Sequence, residues 1–185
     1  GESMGGGVLT TIGLKRPQHF DGIILSCPML YISPKMLPPA WVQFIFKHIL
    51  VRLLPDWPVA PTKDIISRAF TDKSMCDVLR SNPLGSGGSK LRLRTAYSLG
   101  FQATPWLSEK MSNLEVPFLV IHGGEDSVTS PDYSQRLYDT AAVKDKKIII
   151  YPGAQHADLF HGGPAVKELV GRVMNDVGAW LRAHS

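Results

Sequence analysis

The sequence predicts an α/β protein built on a parallel sheet, and two observations carry that prediction. Three short runs, Asp21–Pro28 (DGIILSCP), Val116–Gly123 (VPFLVIHG) and Lys146–Gly153 (KKIIIYPG), are continuously apolar and rich in Ile and Val. Such runs fit strands covered on both faces. Helical patterns lie between and after them, so strand follows helix along the chain, as right-handed crossovers between parallel strands require.

In chain order, Gly5 to Lys15 reads as a helix with Val8, Leu9, Ile12 and Leu14 as its apolar positions, and the first strand follows it. Between the second and third strands, SPDYSQRLYDTAAV reads as a helix with Ser130 as N-cap and Pro131 at its first position. Ala165 to Ala183 spaces Val166, Leu169, Val170, Val173, Val177 and Leu181 as one helical face. The rhythm breaks over 29–113. PPAWVQFIFKHILVRLLPDW is apolar but carries Lys47, His48 and Arg52, and its uninterrupted helical part falls short of the ~20 residues needed to cross a bilayer. Prolines and a Gly/Ser-rich loop (NPLGSGGSK) follow, then a second helical pattern from Leu91 to Leu99. The segment reads as a helical cap or lid inserted between sheet strands, dividing the chain into core 1–28, cap 29–113 and core 114–185. The plainer alternative is that its apolar helix packs as core.

The chain has 185 residues, 44% hydrophobic and 19% charged, with a net charge of +4. That describes one globular unit with a sizeable core. Lys and Arg are scattered, with no basic stripe of the sort that binds nucleic acid; the mild excess suits at most an anionic membrane surface. Cys27 and Cys76 are too few for a disulfide framework and have no metal-ligand spacing, which fits a reducing, cytoplasmic setting.

Chemistry is concentrated at three turns. Gly1-Glu2-Ser3-Met4-Gly5 matches G-x-S-x-G, the strand-to-helix turn that lifts a serine to the sheet's C-terminal edge, with glycines where side chains would collide. It also aims the Met4 N–H at a developing oxyanion, helped by the helix dipole. A serine hydroxyl needs a base, and the base an orienting acid. In the order Ser…Asp…His, FLVIHGGEDSVTSP places Asp126 in the turn after one strand and IIIYPGAQHADLF places His156 after the next. Glu125 is the alternative acid and reads as solvated. His161 is the runner-up base. His122 reads as structural, while His19, His48 and His184 lie away from these turns.

GESMGG, VPFLVIHGGEDSVTSP, YPGAQHADLF and the cap stretch PKMLPPAWV…LLPDWPVAPTKDIISRAF together resemble the plant monoacylglycerol lipase-like serine hydrolases, a group that includes caffeoylshikimate esterases. The resemblance implies an α/β-hydrolase fold, present in part (its later parallel strands and helices) and carrying a helical lid. It also implies hydrolysis of acylglycerol, lysophospholipid or phenolic acyl esters. On it, Ser3 is the nucleophile, His156 the base, Asp126 the orienting acid and Met4 an oxyanion donor, with no metal or organic cofactor. Trp41, Phe44, Ile45 and Ile49 would line an acyl-accepting lid and touch a membrane surface peripherally. The alternatives are acyl transfer with the same side chains, or a non-catalytic ligand-binding protein of this fold. The family carries a stretch ahead of the serine turn, with a His-Gly loop giving a second oxyanion N–H. The sequence is accordingly expected to be the C-terminal portion of a hydrolase, with little or no turnover by itself.

Overall fold

The computed structural model describes residues 1–32, 37–58, 64–83 and 91–184. Most of the expected Gly/Ser-rich loop, from 84 to 90, lies outside the described residues, as do 33–36 and 59–63 of the expected cap. Strands β1 (Ile23–Ser26), β2 (Phe118–Gly123) and β3 (Lys146–Tyr151) form a parallel sheet in the order β1-β2-β3. Each is shorter than its apolar run. β1 ends where Cys27 adopts a left-handed φ of 42° ahead of Pro28, which has no N–H to give a ladder. β3 ends at Pro152-Gly153, where Gly153 has φ 76°.

All six residues of β2 are buried, and the period of two divides them between two cores. Phe118 and Val120 join Ile23 and Leu25 of β1 on one face, with Leu107, Met111, Leu114 and Leu137. Leu119 and Ile121 join Tyr151, Leu159, Leu169, Val173 and Trp180 on the other. At about 1.5–3 kcal/mol for each fully buried Leu, Ile or Phe, these two layers supply most of the drive to fold. Helices α1 (Ser3–Lys15), α7 (Thr104–Lys110) and α8 (Pro131–Thr140) cover the first face; α9 (Asp158–His161) and α10 (Lys167–Ala183) cover the second. Ser130 caps α8 as expected, accepting the Asp132 N–H at 3.3 Å. On α10 the buried face is Leu169, Val173 and Trp180, whereas Leu181 is half exposed. Val166 and Val177 of the expected face also pack against this core, so only the last position differs, with Trp180 inward in place of Leu181.

The insertion is more segmented than its sequence pattern. Helix α2 (Ala40–Ile45) continues through a wide π turn at Phe46–Leu50 into α3 (Val51–Leu53). Short helices α4 (Ile66–Ala69) and α5 (Ser74–Ser81) follow. The pattern read at 91–99 is the start of a longer run: α6 (Leu93–Tyr97), a π segment Ser98–Ala103, and α7, which carries Leu107 into the core. The apolar helix does not pack as core, since α2 has no buried residue and Trp41 is 68% exposed.

Close packing of α1 on the loop after β1 makes a specific demand. A Cβ at Gly7 would lie 2.5 Å from the Met29 carbonyl oxygen, whereas one at Gly171, in mid-α10, would meet nothing. Alanine improves helix propensity at both by about 1 kcal/mol, but overpacking against backbone costs about 1–3 kcal/mol. Gly171→Ala is expected to raise the urea midpoint and Gly7→Ala to lower it; equal shifts would contradict the packing described.

Candidate active site

Parallel strands end at one rim, and this is what gathers the three turns. Ser26 N–H donates to the Gly1 carbonyl at 2.9 Å and Glu2 bridges in parallel to Ser26, so Ser3 leaves the sheet beside the end of β1. Gly123 pairs with Tyr151 across β2 and β3, so the loops carrying Asp126 and His156 start level. Ser3 has φ 51°, strained for a residue with a Cβ. It is reachable from solvent, while Asp126 and His156 are buried.

His156 Nδ1 lies 2.7 Å from Asp126 Oδ2, and its Nε2 lies 3.0 Å from Ser3 Oγ. An ionised carboxylate only accepts, so Nδ1 carries the hydrogen, and the free lone pair of Nε2 faces the serine hydroxyl. Asp126 Oδ1 accepts the backbone N–H groups of Val128 (2.8 Å) and Thr129 (2.9 Å), and Oδ2 also accepts the Thr129 hydroxyl (2.8 Å). His122 Nε2 lies 3.1 Å from the same Oδ2. Burial pushes the Asp126 pKa up, but hydrogen bonds from His122 and His156, the His156 charge and the Thr129 N–H outweigh it and hold the carboxyl well below its ordinary value. A depressed folded pKa places this group's contribution to stability above the unfolded value, to be lost only as pH falls through the folded one.

The remaining sequence candidates separate cleanly. Glu125 is exposed. His161 Nε2 faces Glu2 Oε2 at 3.1 Å, on the outer side of the serine turn, and His48 and His184 stack on Phe44 and Trp180. The steric need for glycine lies at Gly1, where a Cβ would meet the Gly5 carbonyl at 2.7 Å, and at Gly6 and Gly7, but not at Gly5, whose Cβ position is open; the expectation for Gly5 is thus corrected. Helix α1 makes its first internal bond from Gly6 N–H to the Glu2 carbonyl (3.1 Å). That leaves the Met4 N–H among the unbonded donors of the helix start. A depression of about 210 Å³ opens beside Met4, Val8 and Ile12 of α1, walled by Met29, Leu99 and Leu107. Trp41, Phe44, Ile45 and Ile49 are not in its lining. A wider hollow of about 520 Å³ at Leu53–Trp57 contains none of the three turns.

Sequence reasoning missed three features. Segment Ile66–Thr71 grips the loops that carry Asp126 and His156: Arg68 Nη2 donates to the Ser127 carbonyl (2.7 Å) and Ala157 N–H to the Ala69 carbonyl (2.8 Å). Asp158, fully buried, accepts the Thr71 N–H (3.0 Å), the Thr71 hydroxyl (2.6 Å) and the Gln155 N–H (2.8 Å). Cys27 is also here, its ligand-type atom within 4.8 Å of those of Asp126 and His156. Burial first, and then the Asp126 charge, pushes its thiol pKa well up, so it stays protonated. The first two depend on tertiary contacts; for Cys27, the only signal was its place just past a strand end.

A family model described as serine aminopeptidase, S33 matches residues 1–161. Caffeoylshikimate esterase of Arabidopsis thaliana is 30% identical over 182 residues, 98% of this chain and 53% of that protein. Monoglyceride lipase of Homo sapiens is 26% identical over 183 residues, 98% of this chain and 56% of that protein. The chain thus spans about half the length of the curated relatives it matches. The crystal structure of Paleococcus ferrophilus monoacylglycerol lipase superposes with a TM-score of 0.80 at 25% identity, over all of this chain and 67% of that one. A soluble variant of the Saccharomyces cerevisiae monoglyceride lipase also gives 0.80, over all of this chain and 64% of that one; at 22% identity it bears on the fold alone. A parallel sheet with these helices, matched over its whole length, is an α/β-hydrolase fold, and the chain belongs to the serine aminopeptidase S33 family.

Proposed function

We propose that this protein is a carboxylic ester hydrolase of the monoacylglycerol lipase type, acting through Ser3, His156 and Asp126. The observation that carries the reading is the unbroken line of hydrogen bonds from the Ser3 hydroxyl through the His156 ring to the Asp126 carboxylate. His156 Nε2 takes the hydroxyl proton as Ser3 Oγ attacks the ester carbonyl, and Asp126 stabilises the imidazolium that forms. The carbonyl oxygen becomes an oxyanion facing the α1 start, where the Met4 N–H donates to it. Collapse expels the alcohol, which receives the proton from His156 and leaves an acyl ester on Ser3. Water then attacks with the same proton transfers, releasing the carboxylic acid and restoring Ser3.

The ester class follows from the surroundings. The depression beside Met4 is walled mainly by Met, Leu, Val and Ile, which suits an acyl chain or an aromatic acyl group. The relatives' names include a monoglyceride lipase and a caffeoylshikimate esterase, so acylglycerols and phenolic acyl esters are the substrates to test first, with lysophospholipids after them. Residues 29–113 form the cap of this reading, between core segments 1–28 and 114–185. Its exposed Trp41, Phe44, Ile45 and Ile49 rest on the lipid surface that delivers substrate, with Lys47 and Arg52 nearby for anionic headgroups. Contact is peripheral and on the cytoplasmic side; among the described residues no helix is long and apolar enough to cross a membrane.

In the full-length protein, a fluorophosphonate probe is expected to label Ser3, with no labelling in Ser3→Ala and a rate lower by on the order of 10³-fold or more in His156→Ala, the nucleophile having lost its base. Labelling indifferent to both substitutions would sink the proposal. Replacing Phe44 and Ile49 together by Ser should lower kcat/KM for long-chain monoacylglycerols by about tenfold while short-chain esters change less. Equal losses on both would remove the lid from acyl recognition.

A further inference from the structure

We propose that His122 is a positioning residue of this site, one that binds the Asp126 oxygen shared with His156 and so sets how strongly the carboxylate holds the His156 ring. The proposal rests on the Ser3–His156–Asp126 reading above. His122 lies in β2, one residue before its end, and its side chain is fully buried. Nε2 faces Asp126 Oδ2 at 3.1 Å and the Thr129 carbonyl at 3.2 Å. Both partners only accept, so Nε2 carries the hydrogen. Nδ1 then offers a lone pair, and the Ser134 hydroxyl, also fully buried on α8, lies 2.7 Å away to donate to it. The ring is fixed in one tautomer and one orientation from both sides.

An apolar side chain could fill this position without the desolvation cost of a buried imidazole. The imidazole instead holds its Nε2, hydrogen-bonded to the Thr129 carbonyl, 3.1 Å from an oxygen that already accepts the His156 Nδ1–H and the Thr129 hydroxyl. Each donor draws charge from the carboxylate, so His122 makes Asp126 a weaker acceptor toward His156 and keeps it from taking the imidazolium proton. Without His122, Asp126 binds the imidazolium more tightly, and His156 loses its proton only at higher pH. Among the described residues, the titratable groups facing this carboxylate are His122 from β2, Cys27 from the end of β1 and His156 from the loop after β3. Glu2, beside Ser3, is paired outward with His161.

The test uses the full-length protein and the variants His122→Phe, His122→Gln and Ser134→Ala. Two quantities are read from about pH 5 to about pH 9: the rate of fluorophosphonate labelling at Ser3, and the titration of the His156 ring by ¹H–¹⁵N NMR. His122→Phe is expected to move both midpoints up by about one pH unit and to slow labelling near neutrality by up to about tenfold. His122→Gln, whose side-chain amide N–H reaches toward the same oxygen, should return the midpoints most of the way. Ser134→Ala, which keeps the ring but frees its tautomer, should shift them in the same upward direction and covers the outcome that the Phe variant does not fold. Loss of thermal stability in the folded variants with the midpoints left at the wild-type pH would overturn the proposal, because a merely structural histidine has that effect. If instead labelling proves indifferent to Ser3→Ala or His156→Ala, the catalytic reading fails, and the NMR midpoint still decides the role of His122.

Discussion

A buried carboxylate without donors around it would abandon its charge or its place, and Asp126 is the point on which this requirement falls. Four donors from its own loop and the β3 loop converge on its two oxygens, and His122 Nε2 near the β2 end lies 3.1 Å from one of them. Satisfying it fixes the conformation of residues 126–129, orients the His156 ring and, through that ring, sets its Nε2 3.0 Å from Ser3 Oγ. The sheet brings the three turns to one rim, and the carboxylate turns proximity into alignment. Alignment of this kind is where catalytic rate is gained, since groups already in position need no reorganisation as charge moves.

Much of this was legible in the sequence, and the legible part has a common cause. Ile- and Val-rich runs announce buried parallel strands because such strands have no polar face to display. Ser130-Pro131 announces a helix start because both residues act locally, and the backbone obliges. The places of Ser3, Asp126 and His156 follow from a motif and from strand ends, both short-range signals. What the sequence concealed depends on contacts distant along the chain. Nothing in the spacing of α10 says that Trp180 outweighs Leu181 for the inner face. The fourfold step from His122 to Asp126 is visible in hindsight, but a strand's last turn outward decides whether such a pair meets. Gly6 and Gly7, outside the G-x-S-x-G motif, are where α1 presses on Pro28 and Met29, a demand set by a loop some twenty residues on.

The insertion is the least legible region and the most consequential for the site. Its α2 and the π turn after it leave Trp41, Phe44 and Ile49 to solvent, while Ala69, Phe70 and Cys76 pack with Ala157 and, at the edge, Val128. One end of the segment is therefore a surface and the other a brace. The brace is polar as well as apolar: Arg68 holds the loop after Asp126, and Thr71 holds the loop after His156. A segment that only covered the site could be re-sculpted freely. This one shares hydrogen bonds with the loops that carry Asp126 and His156.

Asp158 sharpens the point. Its carboxyl group, with no access to solvent, is satisfied by the nearby Gln155 N–H and by two donors of Thr71, 87 residues away in the chain. Neither segment can be exchanged alone: a transplanted 66–71 segment lacking the threonine strands a polar group in the interior, and a transplanted His156 loop lacking the aspartate leaves the threonine's groups unanswered. The two must be inherited as a pair, so the part of 29–113 free to diversify is confined to helices beyond that knot.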